Sequence, residues 1–329
     1  MAWSKVLTFT DPFPYATAVR AADMQVFPTA KGELRAEVTQ VVMNQLWMQR
    51  FNENLPLVHK WAIKPRRRVF GFLTEANQPE LYACGRLLLP CEIHENKFEE
   101  QHQKTGGHCS FGTMSLATED FTTACKAIVG REFAESSTRR FIRPNAGLVE
   151  RLLKLHETVG RIARTTPDLF AVAEVVRALE QQLIHLLVRC VTGGIPSDLT
   201  GGGQRHRMIV SRFEAFLEAN PNTPLYLQEI CAAVGAAERT LRVACEEHLG
   251  MGPIRYLALR RMHLVRRALL KADSSTTVTQ IATDHGFWEL GRFSVAYRTL
   301  FGETPSVTLK RPPDDYRDFP NRPSSFRGQ

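Results

Sequence analysis

The chain has 329 residues, which is long for one domain and comfortable for two. Its apolar fraction of 43% is ordinary for a globular protein, and its net charge of +8 favours an anionic partner. Positive charge is densest between residues 205 and 311, which carry 15 Lys/Arg and 10 Asp/Glu, as contact with phosphate would require. The composition therefore indicates two globular domains, the second of them basic.

The seven cysteines are odd in number, scattered, and form no CxxC pair. This pattern indicates free thiols in a reducing compartment rather than a disulfide framework. The sequence contains no apolar run of about 18 residues, and its N-terminus shows no signal-peptide pattern. We therefore expect a soluble, cytoplasmic protein without membrane association.

Residues 1–192 are predicted to form a β-rich domain that ends in a helical hairpin. Short apolar runs at 38–47, 69–73 and 81–89 are broken by Pro, Gly and Asn, which is typical of strands. A hairpin turn is predicted at 83–86 and a loop at 106–107. From about Asn145 the apolar spacing becomes helical, and a second, longer apolar helix is predicted over 169–191.

Residues 193–204 are predicted to be a flexible linker, because this segment contains five Gly and one Pro. Beyond it, residues 205–311 form the second predicted domain. Residues 312–329 are rich in Pro, Arg and Asp and have no apolar periodicity. We expect a disordered tail there.

One motif is written twice between residues 225 and 310. The marker residues are Ile230, Gly235, Leu241, Gly250 and Pro253 in the first copy, and Ile281, Gly286, Phe293, Gly302 and Pro305 in the second. Each copy predicts a short helix (227–234 and 278–285), a Gly turn, a second helix and a loop that ends in Pro. Two helices joined by such a turn form a helix-turn-helix unit, whose second helix enters the DNA major groove.

This arrangement resembles the DNA-binding domain of the AraC/XylS family of bacterial transcription regulators. The signature of that family's second helix-turn-helix is matched by Ile281, Ala282, Gly286, Phe287, Phe293, Ala296, Tyr297, Phe301, Gly302 and Pro305. The resemblance covers about a third of the chain. It implies an α+β protein, in which a β-rich, cupin-like domain and a helical hairpin precede an all-α domain with two helix-turn-helix motifs.

The resemblance also implies which residues face DNA in the first motif. Its second helix is predicted over 237–247, with Leu241 and Cys245 as core. The base-reading positions of the family fall on Arg239, Arg242 and Val243. Arginine makes bidentate hydrogen bonds to guanine, although a solvated helix face is the alternative for such a pair. The segment before this helix, Ala236-Ala237, lacks the usual Ser N-cap.

The second helix of the second motif is predicted over 289–300, with Phe293 and Tyr297 as core. Its outward positions include Arg292, Val295 and Arg298. We expect Arg292 to read a base and Arg298 to contact phosphate. Gly291 and Trp288 depart from the family pattern, and Trp288 packs either on the sugar-phosphate backbone or on the domain itself.

A helix over 256–271 is implied to join the two motifs and to hold them about 34 Å apart, one turn of DNA. Its four interleaved arginines at 260, 261, 266 and 267 either approach DNA or are a solvated stripe. His263 and His285 are interpreted as packing or surface residues.

Other patterns carry less information about chemistry. The residues His94, Glu95, His102 and His108 sit within the predicted β-rich domain, but their spacing matches no metal motif, so we predict no metal, cofactor or catalytic residues. Cys84, Cys91 and Cys109 are interpreted as apolar fillers. The aromatic residues Trp47, Trp61, Phe70 and Phe72 either line an effector pocket or belong to the core.

The predicted function is a cytoplasmic, sequence-specific transcription regulator that binds promoter DNA. The family resemblance implies a small-molecule effector of unknown identity, contact with RNA polymerase that activates transcription, and a homodimer, for which the apolar 169–191 helix is the only sequence support. Two alternatives remain open at this stage. One is a metal-dependent barrel enzyme fused to a DNA-binding domain, and the other is a non-specific architectural DNA-binding protein.

Overall fold

The computed structural model of the chain describes residues 2–96, 100–130, 140–221, 223–273 and 275–311. The predicted tail over 312–329 lies outside these described residues. The strands are β1 Trp3–Phe9, β2 Ala22–Pro28, β3 Ala36–Val42, β4 Trp47–Glu53, β5 Leu57–Ile63, β6 Arg67–Leu73, β7 Leu81–Ala83, β8 Arg86–Leu87, β9 Ile93–Asn96, β10 Glu100–Thr105, β11 Cys109–Ala117, β12 Arg140–Arg143 and β13 Ile195–Asp198.

The helices are α1 Pro12–Ala18, α2 Thr118–Val129, α3 Ala146–Thr165, α4 Ala173–Gly193, α5 Gly201–Ala219, α6 Leu227–Val234, α7 Glu238–Leu249, α8 Pro253–Lys271, α9 Val278–Asp284, α10 Leu290–Phe301 and α11 Pro305–Leu309, with a 3₁₀ helix at Pro167–Ala171. The N-terminal part is therefore β-rich and the C-terminal part helical, as predicted. Within the described residues, no helix is both long enough and apolar enough to cross a membrane.

The strands form two antiparallel sheets that face each other. The larger sheet has the order β1-β3-β4-β11-β6-β9-β12-β13, and the smaller has the order β2-β5-β10-β7-β8. Because side chains alternate along a strand, each sheet has an inner and an outer face. Phe51 and Phe111 of the larger sheet stack 4.6 Å apart in the inner core, where Trp61 of the smaller sheet meets both edge-on.

Helices α2, α3 and α4 cover the outer face of the larger sheet. The sheet and the helices share one buried cluster, which includes Met48 and Phe70 of the sheet and Phe121 and Leu187 of the helices. The carboxylate of Glu180 in α4 accepts hydrogen bonds from the backbone N–H of Gln45 and of Leu46, which ties the helix to the β3–β4 turn. The apolar face of α4 is therefore used inside the chain, and it no longer supports the predicted homodimer.

Most predicted elements of the N-terminal part are confirmed, with changed limits. The hairpin turn at 83–86 joins β7 to β8, where Ala83 pairs with Arg86. The apolar run at 38–47 is two strands rather than one, because the chain turns at 43–46. The second helix of the hairpin begins at Ala173 instead of 169, since the 3₁₀ helix precedes it.

The Gly-rich segment over 193–204 differs from the flexible linker that the sequence predicts. Residues Ile195–Asp198 pair with β12 and extend the larger sheet. Helix α5 then begins at Gly201, where the Thr200 side chain accepts a hydrogen bond from Gly203 N–H and caps the helix. Composition alone misses this order, because the pairing partner of β13 lies more than 50 residues earlier in the chain.

The two glycines of helix α10 provide a matched test of its local stability. A Cβ at Gly291 or at Gly302 would meet no heavy atom within 4 Å, but only Gly302 has a left-handed backbone, with φ of 74°. Gly291→Ala should therefore stabilise α10 by about 0.5–1 kcal/mol, whereas Gly302→Ala should destabilise it by about 1 kcal/mol. Hydrogen–deuterium exchange of the α10 amides measures both, and a shift of both variants in the same direction would contradict the assigned backbone.

Candidate nucleic-acid interface

The first helix-turn-helix motif consists of α6 and α7, joined at Gly235. This glycine has φ of 67°, a left-handed conformation that glycine adopts without steric cost. Ile230, Leu241 and Cys245 are fully buried between the helices, which confirms Leu241 and Cys245 as core. The turn and this core fix the direction in which the outer face of α7 points.

The predicted DNA-facing residues of α7 are all exposed: Arg239, Arg242 and Val243. Arg242 donates to Glu238 at 2.7 Å, an i, i+4 pair in which both side chains are more than half exposed. Such a surface pair contributes little stability, so Arg242 can leave Glu238 for a stronger acceptor. Ala237 caps α7 without a side-chain hydrogen bond, as its sequence indicates.

The second motif consists of α9 and α10, joined through Gly286 with φ of 80°. Phe293 and Tyr297 are buried as predicted, and Tyr297 Oη donates to Thr308 Oγ1 of α11 at 2.9 Å. These contacts hold α10 against α9 and α11.

The outer face of α10 carries the other predicted DNA-facing residues, Arg292, Val295 and Arg298, and all three are exposed. Arg292 Nη1 lies 2.8 Å from Glu289 Oε2 at the start of the helix. Trp288, in the turn before α10, is 70% exposed. The Trp288 side chain therefore does not pack on the domain itself, which was one of its two predicted environments.

The arginines of helix α8 mostly face the rest of the protein rather than solvent. Arg266 bridges Asp11 at 3.3 Å and Glu303 at 2.9 Å, and the guanidinium of Arg267 lies 4.8 Å from the ring centre of Phe13. Arg260 is buried, and Arg261 donates to the backbone carbonyl of Thr223. The solvated stripe therefore does not describe Arg260 and Arg266, which contact the N-terminal domain or other parts of the helical domain, whereas Arg261 is half-buried and Arg267 is exposed. Contact with DNA stays a prediction for Arg261 and Arg267.

Glu214 of helix α5 is the centre of the contact between the two domains. This fully buried carboxylate accepts from Tyr256 Oη, and His102 Nε2 lies 3.3 Å from its Oε1 atom. Lys60 Nζ lies 3.7 Å from Oε2, and Arg260 Nε lies 3.9 Å from it. Lys60 and His102 belong to the smaller sheet, whereas Tyr256 and Arg260 belong to α8, so one carboxylate connects three elements.

The charges around Glu214 stabilise its ionised form. Burial alone would raise the pKa of Glu214, but the hydrogen bond with His102 and the positive charges of Lys60 and Arg260 hold it well below its usual value. Burial alone would lower the pKa of Lys60, but the negative charges of Glu214, Glu100 and Glu218 outweigh this effect, so the pKa of Lys60 is raised. Both groups are therefore charged at neutral pH.

Sequence reasoning missed this cluster, although the sequence carries a signal for it. Val210, Glu214 and Leu217 lie at i, i+4 and i+7 along α5, so Glu214 occupies the apolar face of the helix. A charged residue on such a face indicates a buried partner. The sequence does not identify that partner, since Lys60 is more than 150 residues away.

Apolar contacts and a second histidine complete the interface between the domains. Phe27 and Val58, which pair across β2 and β5, belong to the same buried cluster as Phe213 and Tyr256. His263 of α8 packs against Phe27, with its Nε2 atom 3.4 Å from the carbonyl oxygen of Pro28. His263 is thus a packing residue, as the sequence predicts.

The smaller sheet separates this interface from a cavity inside the N-terminal domain. Lys60 lies opposite His102 in the β5–β10 register, and Trp61 lies opposite Gln101. The first pair contacts Glu214, whereas Trp61 and Gln101 line the cavity. Phe72 lines it too, whereas Trp47 stacks on Arg67 and Phe70 packs against Phe121.

The histidines and glutamate considered for metal binding have separate surroundings. His94 stacks 4.5 Å from the ring centre of Phe141, Glu95 pairs with Arg68, and His102 faces Glu214. Among the residues described, no group of three or more His, Cys, Asp or Glu side chains is placed to hold a metal ion.

Comparison with known proteins concerns mainly the C-terminal third. Residues 230–311 match a helix-turn-helix domain family. The probable thc operon regulatory protein of Rhodococcus erythropolis is 39% identical over 99 residues, 30% of each chain. XylDLEGF operon transcriptional activator 2 of Pseudomonas putida is 34% identical over 99 residues, 30% of this chain and 63% of the relative.

The chain thus spans less than two thirds of the length of these relatives. A solved structure, the AraC-like transcriptional activator CuxR, aligns over 85% of this chain and 99% of its own, with 13% identity and a TM-score of 0.39.

We predict that Lys60→Met weakens the contact between the domains. The substitution removes the positive charge that pairs with the buried Glu214 and the half-buried Glu218. We expect this loss to lower the free energy of unfolding by about 3 kcal/mol. Urea denaturation of the full chain measures the loss. Lys5→Met removes an exposed lysine from β1 and is the matched control, with an expected change below about 0.5 kcal/mol. Equal effects of the two substitutions would contradict the role of the cluster.

We also predict that His263 makes stability fall in mild acid. Burial lowers its pKa to about 3, so between pH 6.5 and 3 the unfolded chain binds a proton that the folded chain does not. Its contribution is fully present above pH 6.5 and decreases as the pH falls, by about 2 kcal/mol at pH 5. His263→Phe keeps a ring against Phe27, and its unfolding free energy should fall less between pH 7 and pH 5. An equal fall in both proteins would show that His263 titrates normally.

Proposed function

Because its C-terminal domain belongs to the AraC/XylS family of transcription regulators, we propose that this protein is a cytoplasmic, sequence-specific regulator that binds promoter DNA. The observation that carries the proposal is the exposure of matched faces on two repeated helix-turn-helix motifs. Arg239, Arg242 and Val243 occupy the first face, and Arg292, Val295 and Arg298 occupy the second. Each motif places one helix in the major groove, and helix α8 sets their separation to one turn of DNA.

The two faces have different chemistry. The first offers two arginines one helical turn apart, which suits recognition of neighbouring guanines. In the second, Arg292 is the base-reading residue and Arg298 binds phosphate. Trp288 adds an exposed ring at the edge of this face, where it packs against the sugar-phosphate backbone.

Control by a small molecule follows from the two faces of the smaller sheet. A ligand in the cavity contacts Trp61 and Gln101, and each of them is one residue away from an interface side chain, Lys60 and His102 respectively. A change in strand position on the cavity side therefore changes the contacts with Glu214. The ligand shifts the population of domain arrangements toward the one that binds DNA.

Activation is the proposed direction of control, since relatives that match the C-terminal domain carry the name of transcriptional activators. Contact with RNA polymerase and homodimer formation remain predictions from the family resemblance.

DNase I footprinting on the DNA upstream of the protein's own gene and its neighbours tests the proposal, with random competitor DNA at fixed salt. We expect protection of about two helical turns per bound chain. Binding that is equally strong on random DNA would instead indicate an architectural protein, and the absence of any binding would remove the regulator proposal.

Arg239→Ala and Arg292→Ala should each reduce affinity for the protected site by about 1–3 kcal/mol and relax the preference at one base pair. Arg177→Ala removes an exposed helical arginine from α4 and should leave affinity unchanged. Competition titrations against single-base variants of the site measure both effects. An equal loss on specific and random DNA would show that Arg239 or Arg292 contacts phosphate only.

A further inference from the structure

The two helix-turn-helix motifs have separate hydrophobic cores. The core of the first motif contains Tyr256 and Leu257 of α8, and the core of the second contains Met262, Val265 and Leu269 of the same helix. Among the described residues, α8 is the only element that contributes to both cores. Each motif is therefore fixed to its own half of α8, and neither core holds one motif against the other.

Arg261 lies at the junction of these two halves of α8, between Leu257 and Met262. Its Nη2 atom donates a hydrogen bond to the backbone carbonyl oxygen of Thr223, in the loop that precedes α6. The same guanidinium packs on the turn of the second motif, where a Cβ atom at Gly286 would lie 3.4 Å from Nη1 and 3.7 Å from Cζ. One side chain thus contacts both motifs.

Both contacts are made to backbone with restricted geometry. Pro224 follows Thr223 and favours an extended conformation of that residue, which directs its carbonyl group. Gly286 has a left-handed backbone with φ of 80°, and it has no side chain to hold the guanidinium away from the turn. A planar group between two such segments limits how far either motif can tilt about α8.

The surroundings of Arg261 are those of a bridge rather than of a free surface charge. The side chain is half-buried, and burial lowers the pKa of its guanidinium from the usual value. Only a guanidinium combines a planar face with several N–H groups in fixed directions. A lysine or an apolar side chain at this position could not make both contacts.

We propose that Arg261 is a positioning residue, which holds the two motifs at a fixed relative orientation and thereby sets the spacing of the two base sequences that they read. The orientation follows from the contacts of Arg261 alone, whereas the effect on DNA spacing rests on the proposed function. A contact between Arg261 and a DNA phosphate is the rival role, and it would add affinity for every DNA sequence.

The orientation is measured on the full chain without DNA, from residual dipolar couplings of the amides in α7 and α10. In the wild-type protein, one alignment tensor should describe both helices. Arg261→Met keeps an unbranched side chain but removes the guanidinium, and we expect the common tensor to be lost, with smaller couplings in α10. Arg255→Met is the matched control, because Arg255 is an exposed arginine of α8, and it should keep the common tensor. Two tensors in the wild type, or one in Arg261→Met, would overturn the positioning role.

The spacing is measured on the footprinted site and on versions with one base pair inserted or removed between its two halves. Each change rotates one half relative to the other by about 35° and shifts it by about 3.4 Å. We expect the wild-type protein and Arg255→Met to bind the altered sites about tenfold more weakly than the original site, and Arg261→Met to bind them about threefold more weakly or less.

Arg261→Lys separates positioning from a phosphate contact. Lysine keeps the positive charge, but its single ammonium group cannot contact Thr223 and the Gly286 turn together. We therefore expect Arg261→Lys to lose the spacing preference as Arg261→Met does, whereas a phosphate contact would survive this substitution. If Arg261→Met fails to fold, as judged by circular dichroism, Arg261→Lys provides the same measurements.

Salt titrations give a second distinction between the two roles. Loss of one phosphate contact reduces the slope of log K against log salt concentration by about 1, and we expect Arg261→Met to keep the wild-type slope. A reduced slope with an unchanged spacing preference would show that Arg261 contacts phosphate, and it would overturn the proposal.

The wild-type protein distinguishes failure of this proposal from failure of the proposed function. A wild-type chain that binds the original and the altered sites equally well would overturn the positioning role. A wild-type chain that binds no DNA would instead remove the regulator proposal, and the dipolar couplings would still decide whether Arg261 fixes the orientation of the motifs.

Discussion

The contact between the two domains is centred on one buried carboxylate. Glu214 is fully buried, and an ionised carboxylate in that position is tolerated only with paired charges and hydrogen bonds. The smaller sheet supplies Lys60 and His102, and helix α8 supplies Tyr256 and Arg260. None of these four groups comes from α5 itself. The charge of Glu214 is therefore compensated only where the smaller sheet and α8 meet. The interaction thereby sets the position of the first helix-turn-helix motif relative to the N-terminal domain.

Strand geometry then gives the smaller sheet two different faces, one toward the helical domain and one toward the cavity. Neighbouring residues of a strand point to opposite faces, so Lys60 reaches the helical domain while Trp61 reaches the cavity. A small movement of β5 relative to β10 changes both environments together, because the Lys60–His102 and Trp61–Gln101 pairs are adjacent in the same register. The proposed control by a small molecule therefore needs no separate chain of contacts across the domain.

The sequence predicted local structure better than contacts between distant residues. The repeated motifs, their glycine turns and the core pairs Leu241–Cys245 and Phe293–Tyr297 follow from helical spacing within about 30 residues. The ordered segment over 193–204 and the pairing of Lys60 with Glu214 depend on contacts between distant parts of the chain. The spacing of residues along the sequence carries no information about such contacts. Charge was misleading at Arg260 and Arg266 of α8 for a similar reason, because an interleaved arginine stripe has the same pattern whether it faces water or another domain.

The exposed recognition faces restrict how the N-terminal domain can act on DNA binding. That domain contacts α7 at its C-terminal end, where Gly85 approaches Glu247 and His248 so closely that a Cβ atom would lie 2.9 Å from each, whereas Arg239 and Arg242 nearer the N-terminus remain exposed. The second motif is connected to the same domain through Arg266, which bridges Asp11 and Glu303. Since neither predicted recognition face is covered, the proposed control does not act by burying these side chains. In the proposed mechanism the interface changes the orientation of the first motif relative to the second, and binding to two major grooves one DNA turn apart is sensitive to that orientation.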